Sequence, residues 1–252
     1  DSLNRFYDGD PARQASLRAF AIARLAPVLE RIGWIAKPGE PDPVKNLRNN
    51  LIHSLSALGD PKVIAEARRR YAAQSSDPSA VPAALRKAII SVVSRHADAA
   101  TWEQLHAAAL AEKTPLIKDD LYAYLSSTED ATLAQRALDL SLTDEPGATN
   151  SAAMIGNVAD LHPELAFEFA VAHKAQVDAK VDSTSRSSYY PELAYNSLDP
   201  AMIGKVKAFA EAHIAATARR AANTTVSNIT YRIMVHNERL PTIDAWLKKE
   251  SE

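Results

Sequence analysis

The 252-residue sequence contains no cysteine and only 7 glycines. The absence of cysteine excludes disulfide bonds, thiolate zinc sites and cysteine nucleophiles together. The glycines stand too far apart to form a loop that cradles phosphate; they are Gly9, Gly33, Gly39, Gly59, Gly147, Gly156 and Gly204. Scarce glycine and abundant alanine favour helix, because alanine loses no side-chain entropy on folding and glycine loses the most backbone entropy.

The sequence also lacks a strong excess of charge and a long apolar run. The formal net charge is −2, which gives no reason to expect nucleic acid or an anionic membrane as a partner. No window approaches the ~20 apolar residues of a membrane span. The basic clusters Arg68-Arg69-Arg70 and Arg219-Arg220 lack the interleaved aromatic residues of a nucleic-acid platform. We therefore expect a soluble protein with no nucleic-acid and no membrane partner. The high alanine and arginine content suggests a bacterial source, and the compartment stays open between the cytoplasm and the periplasm or secreted fraction.

The familiar catalytic patterns are missing as well. No histidine stands four residues from another, so the His-Glu-x-x-His pattern, which brings two imidazoles to one zinc ion, is absent. No Gly-x-Ser-x-Gly elbow is present. Carboxylate pairs such as Asp119-Asp120 and Glu129-Asp130 suit helix starts, where negative charge complements the helix dipole. The sequence thus predicts no catalytic residue and no metal ligand in this chain.

Amphipathic helices fill the sequence. Asp10-Pro11 combines a capping residue with a proline that is tolerated in a first helical turn, and a stripe of apolar residues follows at three- and four-residue steps until Gly33. A second helix is predicted from about Pro43 to Leu58. Its predicted buried face consists of Leu47, Leu51, Ile52 and Leu55.

Similar helix starts recur every 15–20 residues or so, the spacing that stacked helical pairs require. The predicted starts are Asp60-Pro61, Val81-Pro82, Asp98 or Thr101, Thr114-Pro115, Ser127 or Thr128, the region of Asn150, His162-Pro163 and Asp199-Pro200. The apolar stripes include Leu110 and Leu116. The pattern predicts an all-α fold, an irregular α-solenoid of antiparallel helix pairs that forms a HEAT/armadillo-like superhelix; an irregular all-α bundle is the alternative. Residues 1–252 are predicted to form one helical-repeat domain.

An ordered set of segments resembles a known family. It includes Trp102-Glu103-Gln104-Leu105, the Leu-rich stretch from Leu121 to Leu142 with its acidic turn, and Asp244-Ala245-Trp246-Leu247 near the end. The order and spacing of these segments resemble the C-terminal helical domain of the M1 zinc aminopeptidases.

The resemblance implies a supporting role and not a reaction. In that family the zinc ion, its ligands and the catalytic glutamate lie in other domains, so we expect no cofactor in this chain and zinc in the catalytic domain. The C-terminal domain of the family packs over the catalytic domain, limits substrate size and in some members touches the far end of the substrate. The resemblance thus implies two partners: the catalytic domain of the same polypeptide and the far end of peptide substrates.

Three residues are candidates for contact with a substrate. Arg186, Tyr189 and Tyr190 follow the most polar stretch of the chain, Lys180 to Tyr190, which we interpret as a corner inside the domain. The alternative is that both tyrosines pack between helices and that Arg186 is solvated. Two other functions also stay open: a freestanding HEAT-like scaffold that binds a protein partner, and a complete enzyme with an unfamiliar site.

Overall fold

A computed structural model describes residues 2–250, and within that range it contains helices and turns but no strand. The predicted all-α, solenoid-like fold class is therefore confirmed. The described chain forms two compact units, one of residues 2–96 with 236–250 and one of residues 97–235. The prediction that residues 1–252 form one helical-repeat domain stays a prediction.

The helices follow one another with short connections. They are α1 (Ser2–Arg5), α2 (Pro11–Ile32), α3 (Asp42–Ala57), α4 (Pro61–Ala73), α5 (Arg86–Arg95), α6 (Ala99–Ala111), α7 (Pro115–Leu125), α8 (Ala131–Ser141), α9 (Ala148–Leu161), α10 (Pro163–Ala172), α11 (Lys174–Lys180), α12 (Arg186–Leu193), α13 (Ala201–His213), α14 (Arg220–Met234) and α15 (Leu240–Glu250). Single 3-10 turns lie at Pro78–Ala80, Ala83–Leu85 and Ala216–Ala218, and a π-helical turn lies at Val235–Arg239.

Caps define the helix ends of the first unit much as the sequence predicts. The Asp10 side chain accepts a hydrogen bond from the backbone N–H of Arg13 at the start of α2. At the other end, Gly33 adopts φ 71°, a left-handed conformation that glycine adopts without a Cβ penalty. Asp60 caps α4 by accepting hydrogen bonds from Lys62 and Val63.

The core of the first unit is aliphatic. Its buried members are Leu29, Leu51, Ile52, Leu55, Val63, Ala67, Val81, Leu85, Ile89, Val92 and Val93. The predicted burial of Leu47 is wrong, because this side chain is 42% exposed. The buried face of α3 also includes Arg48. The centre of this face therefore lies close to Arg48, and Leu47 is roughly a quarter turn away from that centre.

The second unit packs consecutive helices from α6 to α14 around an apolar interior. Trp102 is buried in α6, and its indole N–H donates to the Leu125 carbonyl over 3.0 Å. Phe209 of α13 packs between the rings of Phe167 and Tyr190, with centroid distances of 6.0 and 4.8 Å. This interior supports α12 and α14, the helices that carry the candidate site.

Three predictions about the second unit need correction. The predicted start at Ser127 or Thr128 is wrong, since Asp130 caps α8 by accepting from the N–H groups of Thr132 and Leu133. Leu110 and Leu116 are 53% and 71% exposed, and not part of buried stripes. Leu110 lies five residues from the buried Leu105 on α6, and Leu116 lies five residues from the buried Leu121 on α7. Five residues correspond to about 140° of helix, so neither exposed leucine shares the buried face of its helix.

Other predictions are confirmed. Of the two alternatives for the start of α6, Asp98 is the cap, and its carboxylate accepts from the N–H of Thr101. The β-prone stretch from Thr224 to Tyr231 lies within α14, so its tertiary context overrides its propensity. Of the polar stretch from Lys180 to Tyr190, residues 181–185 connect α11 to α12, and residues 186–190 form the first part of α12.

Candidate functional site

Two of the three predicted site residues meet at one carboxylate. Tyr190, which is 1% exposed, donates its hydroxyl hydrogen to Asp178 Oδ1 over 2.8 Å. The guanidinium of Arg186 donates to the carbonyls of Val181 and Asp178, and its Nε lies 3.7 Å from Asp178 Oδ1. Lys174 pairs with the same carboxylate. Arg186 and Tyr190 therefore help to hold the turn between α11 and α12.

The ionisation of these groups follows from their surroundings. Burial is the main cause that raises the pKa of Tyr190, and the Asp178 carboxylate raises it further. Burial also raises the pKa of Asp178, but hydrogen bonds from Lys174 and Tyr190 and the nearby positive charges outweigh it and leave that pKa below its usual range. At neutral pH Tyr190 is thus a neutral hydrogen-bond donor to a charged Asp178.

Tyr189 binds a different helix. Its hydroxyl donates to the Ala152 carbonyl of α9 over 2.9 Å, and burial raises its pKa. Its ring lies edge-on to that of Tyr190 at a centroid distance of 5.7 Å. These contacts show what Arg186, Tyr189 and Tyr190 do within the unit, and contact of the three with a substrate stays a prediction.

A cleft of about 650 Å³ opens beside the same helix. Its walls come from the end of α9, from α12 and the turn after it, and from the first turns of α14. The lining residues are Asp160, Ser187, Ser188, Glu192, Tyr195, Asn196, Ala218, Arg220, Ala221, Thr224 and Thr225. The volume lies within the roughly 300–1,000 Å³ of small-ligand sites.

The cleft contains charged groups of both signs that do not neutralise one another. Within the described part of the chain, Arg220 and Glu192 make no hydrogen bond or ion pair through their side chains, and both are exposed. Asp160 accepts one long hydrogen bond of 3.4 Å from the side-chain amide of Asn196. Free charges of this kind can bind a charged ligand without first breaking an internal ion pair.

Two helix starts and a buried hydroxyl line the same cleft. The first turns of α12 and α14 both reach it, and no side chain caps either helix. The N-terminal N–H groups and the helix dipole favour an anion at such positions. Thr225 is fully buried, and its hydroxyl oxygen has no hydrogen-bond partner among the described residues. A bound polar group would satisfy this hydroxyl, which is costly to leave unpaired.

The sequence analysis noted Arg220 only as half of a basic pair and did not identify it as a candidate site residue. Arg219 and Arg220 form a basic pair, but the structure separates their roles. Arg219 donates to the carbonyls of Ile214 and Glu211 and so closes the end of α13. Arg220 alone extends into the cleft. Glu192 carried no signal, since a single exposed glutamate on a helix is common.

Neither a metal cluster nor a membrane helix is found between residues 2 and 250. No group of three or more histidine, aspartate or glutamate residues in this range is arranged to hold a metal ion. Several imidazoles hydrogen-bond elsewhere, as His106 does to Glu145 and His162 to the Thr128 carbonyl. The described side chains therefore do not fit a zinc ion. No helix in this range is both long and apolar enough to span a membrane.

The comparison with known families agrees with the helical architecture. A family described as the ERAP1-like C-terminal domain matches residues 1–231, which is most of the chain. The match ends within α14, so α15 lies beyond it. The chain therefore belongs to the family of ERAP1-like C-terminal domains and is a noncatalytic C-terminal part of an M1-type aminopeptidase.

Proposed function

We propose that this domain packs on the catalytic domain of the same polypeptide and shapes the access of peptides to it. Zinc and the groups that break the peptide bond then belong to the catalytic domain. Family membership supports this division of labour. The observation that carries the peptide-access role is the cleft beside α12 and α14, where Arg220 is free to receive an anionic group.

The far end of a peptide substrate supplies such a group. An extended peptide that begins at the catalytic centre ends in a carboxylate, which a guanidinium can bind with two parallel hydrogen bonds. The uncapped start of α14 and the unpaired hydroxyl of Thr225 favour the same negative charge. In this role Arg220 holds the peptide end and performs no proton transfer.

The test uses the full-length aminopeptidase and pairs of peptides that differ only in a free or an amidated carboxyl end. For the unaltered enzyme we expect a higher kcat/KM for the free acid. Arg220→Ala should bring the ratio of acid to amide close to one. An exposed charge pair is worth at most about 1 kcal/mol, so the change should be about two- to fivefold.

Lys207→Ala is the matched control, because Lys207 is an exposed cation of the same unit that does not line the cleft. It should leave the acid-to-amide ratio as it is in the unaltered enzyme. An equal preference for acid and amide in the unaltered enzyme, at every peptide length tested, would contradict the peptide-end role of the cleft.

Exposed aliphatic residues support the packing role. Leu110, Leu116 and Ile117 lie on either side of the turn between α6 and α7 and are 53%, 71% and 43% exposed. Aliphatic residues exposed together are typical of interaction surfaces. In the full-length enzyme, Leu116→Lys should lower the melting temperature of the joined domains. An unchanged melting temperature and unchanged activity for both Leu116→Lys and Leu110→Lys would exclude this turn as the packing surface.

A further inference from the structure

The wall of the cleft that α9 and α12 form is acidic. Glu192 lies on α12, and Asp160 lies near the end of α9. Glu192 makes no ion pair in the described chain, and Asp160 accepts only the long bond from Asn196. Two carboxylates against one guanidinium give the cleft an excess of negative charge. A carboxylate ligand that carries no positive charge would therefore be repelled by one wall while it is attracted by the other.

The wall that α14 forms suits an anion, and the evidence for this does not involve Glu192 or Asp160. Thr225 is fully buried and lines the cleft, and its hydroxyl has no partner among the described residues. Arg220 lies five residues, or about one and a half turns, before Thr225 on the same helix, and its side chain makes no hydrogen bond or ion pair in the described chain. The two walls together are complementary to a ligand with a carboxylate at one point and a cation at another.

We propose that the cleft selects peptides whose last residue is basic. The terminal carboxylate binds Arg220 near the start of α14, and the ammonium or guanidinium of a C-terminal lysine or arginine binds Glu192, with Asp160 beside it. This selection rests on the proposed function, in which peptide ends enter the cleft. A C-terminal glutamate or aspartate is disfavoured because it places a second negative charge beside Glu192 and Asp160.

Most exposed acidic residues are solvated and bind no ligand. Glu192 differs from them in lying within the cleft and in having no basic partner among the described residues. Glu168 and Glu103 are also exposed, but each pairs with a basic residue of its own unit, Lys205 and Arg136. Glu192 lies in the same cleft as a free guanidinium and pairs with none. The ring of Tyr195, 40% exposed and also in the cleft, offers an apolar surface along which the stem of a lysine or arginine can pack.

The experiment measures kcat/KM of the full-length enzyme for peptides of one length and one sequence except for the last residue, which is lysine, leucine or glutamate. Each peptide is made as the free acid and as the amide. We expect the order lysine, leucine, glutamate for the free acids, with steps of about two- to fivefold. Glu192→Gln should reduce the ratio of lysine to glutamate, and Glu192→Lys should reverse the order.

Glu211→Gln is the matched control, because Glu211 is an exposed glutamate of α13 outside the cleft. It should leave the ratio unchanged. Equal rates for the three free acids, together with a retained preference for acid over amide that depends on Arg220, would overturn the basic-end selection and leave the proposed function standing. If the unaltered enzyme preferred neither the free acid over the amide nor lysine over glutamate as the last residue, both the basic-end selection and the peptide-end role would be wrong.

Discussion

The guanidinium of Arg48 holds the carboxylate of Glu40 through two hydrogen bonds of 2.8 and 2.6 Å, with side chains only 2% and 8% exposed. The same guanidinium donates to the carbonyls of Gly33 and Ile32 over 2.7 and 3.2 Å. These carbonyls belong to the end of α2, where the helix leaves acceptors without partners. One side chain thus joins the end of α2, the following loop and α3.

Arg48→Met should destabilise the chain strongly, because it removes the guanidinium donors from the buried Glu40 carboxylate and from the two carbonyls. The loss of unfolding free energy, measured by urea titration, should exceed the loss of about 1 kcal/mol for removal of a helix cap. Arg31→Met is the control, since Arg31 is exposed at the end of α2 and has no ion pair in the described chain. Equal effects of the two substitutions would contradict the structural role of Arg48.

The same pair should produce a dependence of stability on pH. The hydrogen bonds from Arg48 hold the pKa of Glu40 below its usual range. A lowered pKa in the folded state stabilises the protein above the unfolded-state pKa, and this stabilisation is lost as the pH falls below about 4. Urea titrations between pH 7 and pH 3 should show a decline that is shallower for Glu40→Gln, which no longer titrates. A decline of the same slope in both proteins would contradict the assignment.

Tyr190→Phe should remove only the hydroxyl, which donates to Asp178 Oδ1 over 2.8 Å and lies 3.3 Å from the Lys174 carbonyl, because the ring remains against Phe209. We expect a loss of unfolding free energy of about 1 kcal/mol. Tyr195→Phe, at a tyrosine that is 40% exposed, should change the stability by less than about 0.5 kcal/mol. If Tyr190→Phe had no effect, the hydroxyl would not be tied to Asp178 in solution.

Asp130→Ala should shorten α8 from its start. The carboxylate accepts from the N–H groups of Thr132 and Leu133 over 2.8 and 3.0 Å, and alanine cannot replace it. The expected loss of unfolding free energy is about 1 kcal/mol. Asp139→Ala, on an exposed position of the same helix, is the control and should have a smaller effect. The reverse order would show that a different residue caps α8.

Phe209→Ala should leave a cavity at the centre of the aromatic cluster of the second unit. Phe209 is 6% exposed, and its ring contacts those of Phe167, Tyr190 and His213. Truncation of a buried phenylalanine costs about 3–5 kcal/mol. Phe209→Leu keeps much of the volume and should cost less. Calorimetry can measure both, and equal melting temperatures for the two variants would mean that the cluster does not depend on this ring.

Local signals in the sequence predicted where many of the helices begin and where α2 and α3 end. The Asp-Pro pairs at Asp10 and Asp60 predicted two starts, and Gly33 predicted an end, because the caps depend on residues next to each other in the chain. The start of α8 was missed because Ser127, Thr128 and Asp130 can all cap a helix. Thr128 instead accepts from the N–H of Asp130, a detail that spacing does not reveal.

The buried faces were less predictable than the helices. Leu47, Leu110 and Leu116 belong to apolar stripes in the sequence but are exposed in the structure. A stripe shows that a helix has an apolar side, but the neighbouring helices decide how much of that side is covered. In α3 the buried face includes Arg48, which can be buried because it pairs with Glu40, eight residues earlier in the chain.

By itself the sequence determined the helical class, most caps and the family, because these depend on short-range patterns and on the order of segments. Tertiary structure alone decided that Arg186 and Tyr190 meet at Asp178, while Arg220, Glu192 and Thr225 share a cleft without pairing. Residues far apart in the chain meet only when the helices that carry them pack, and packing reflects the sum of many weak contacts that no local pattern encodes.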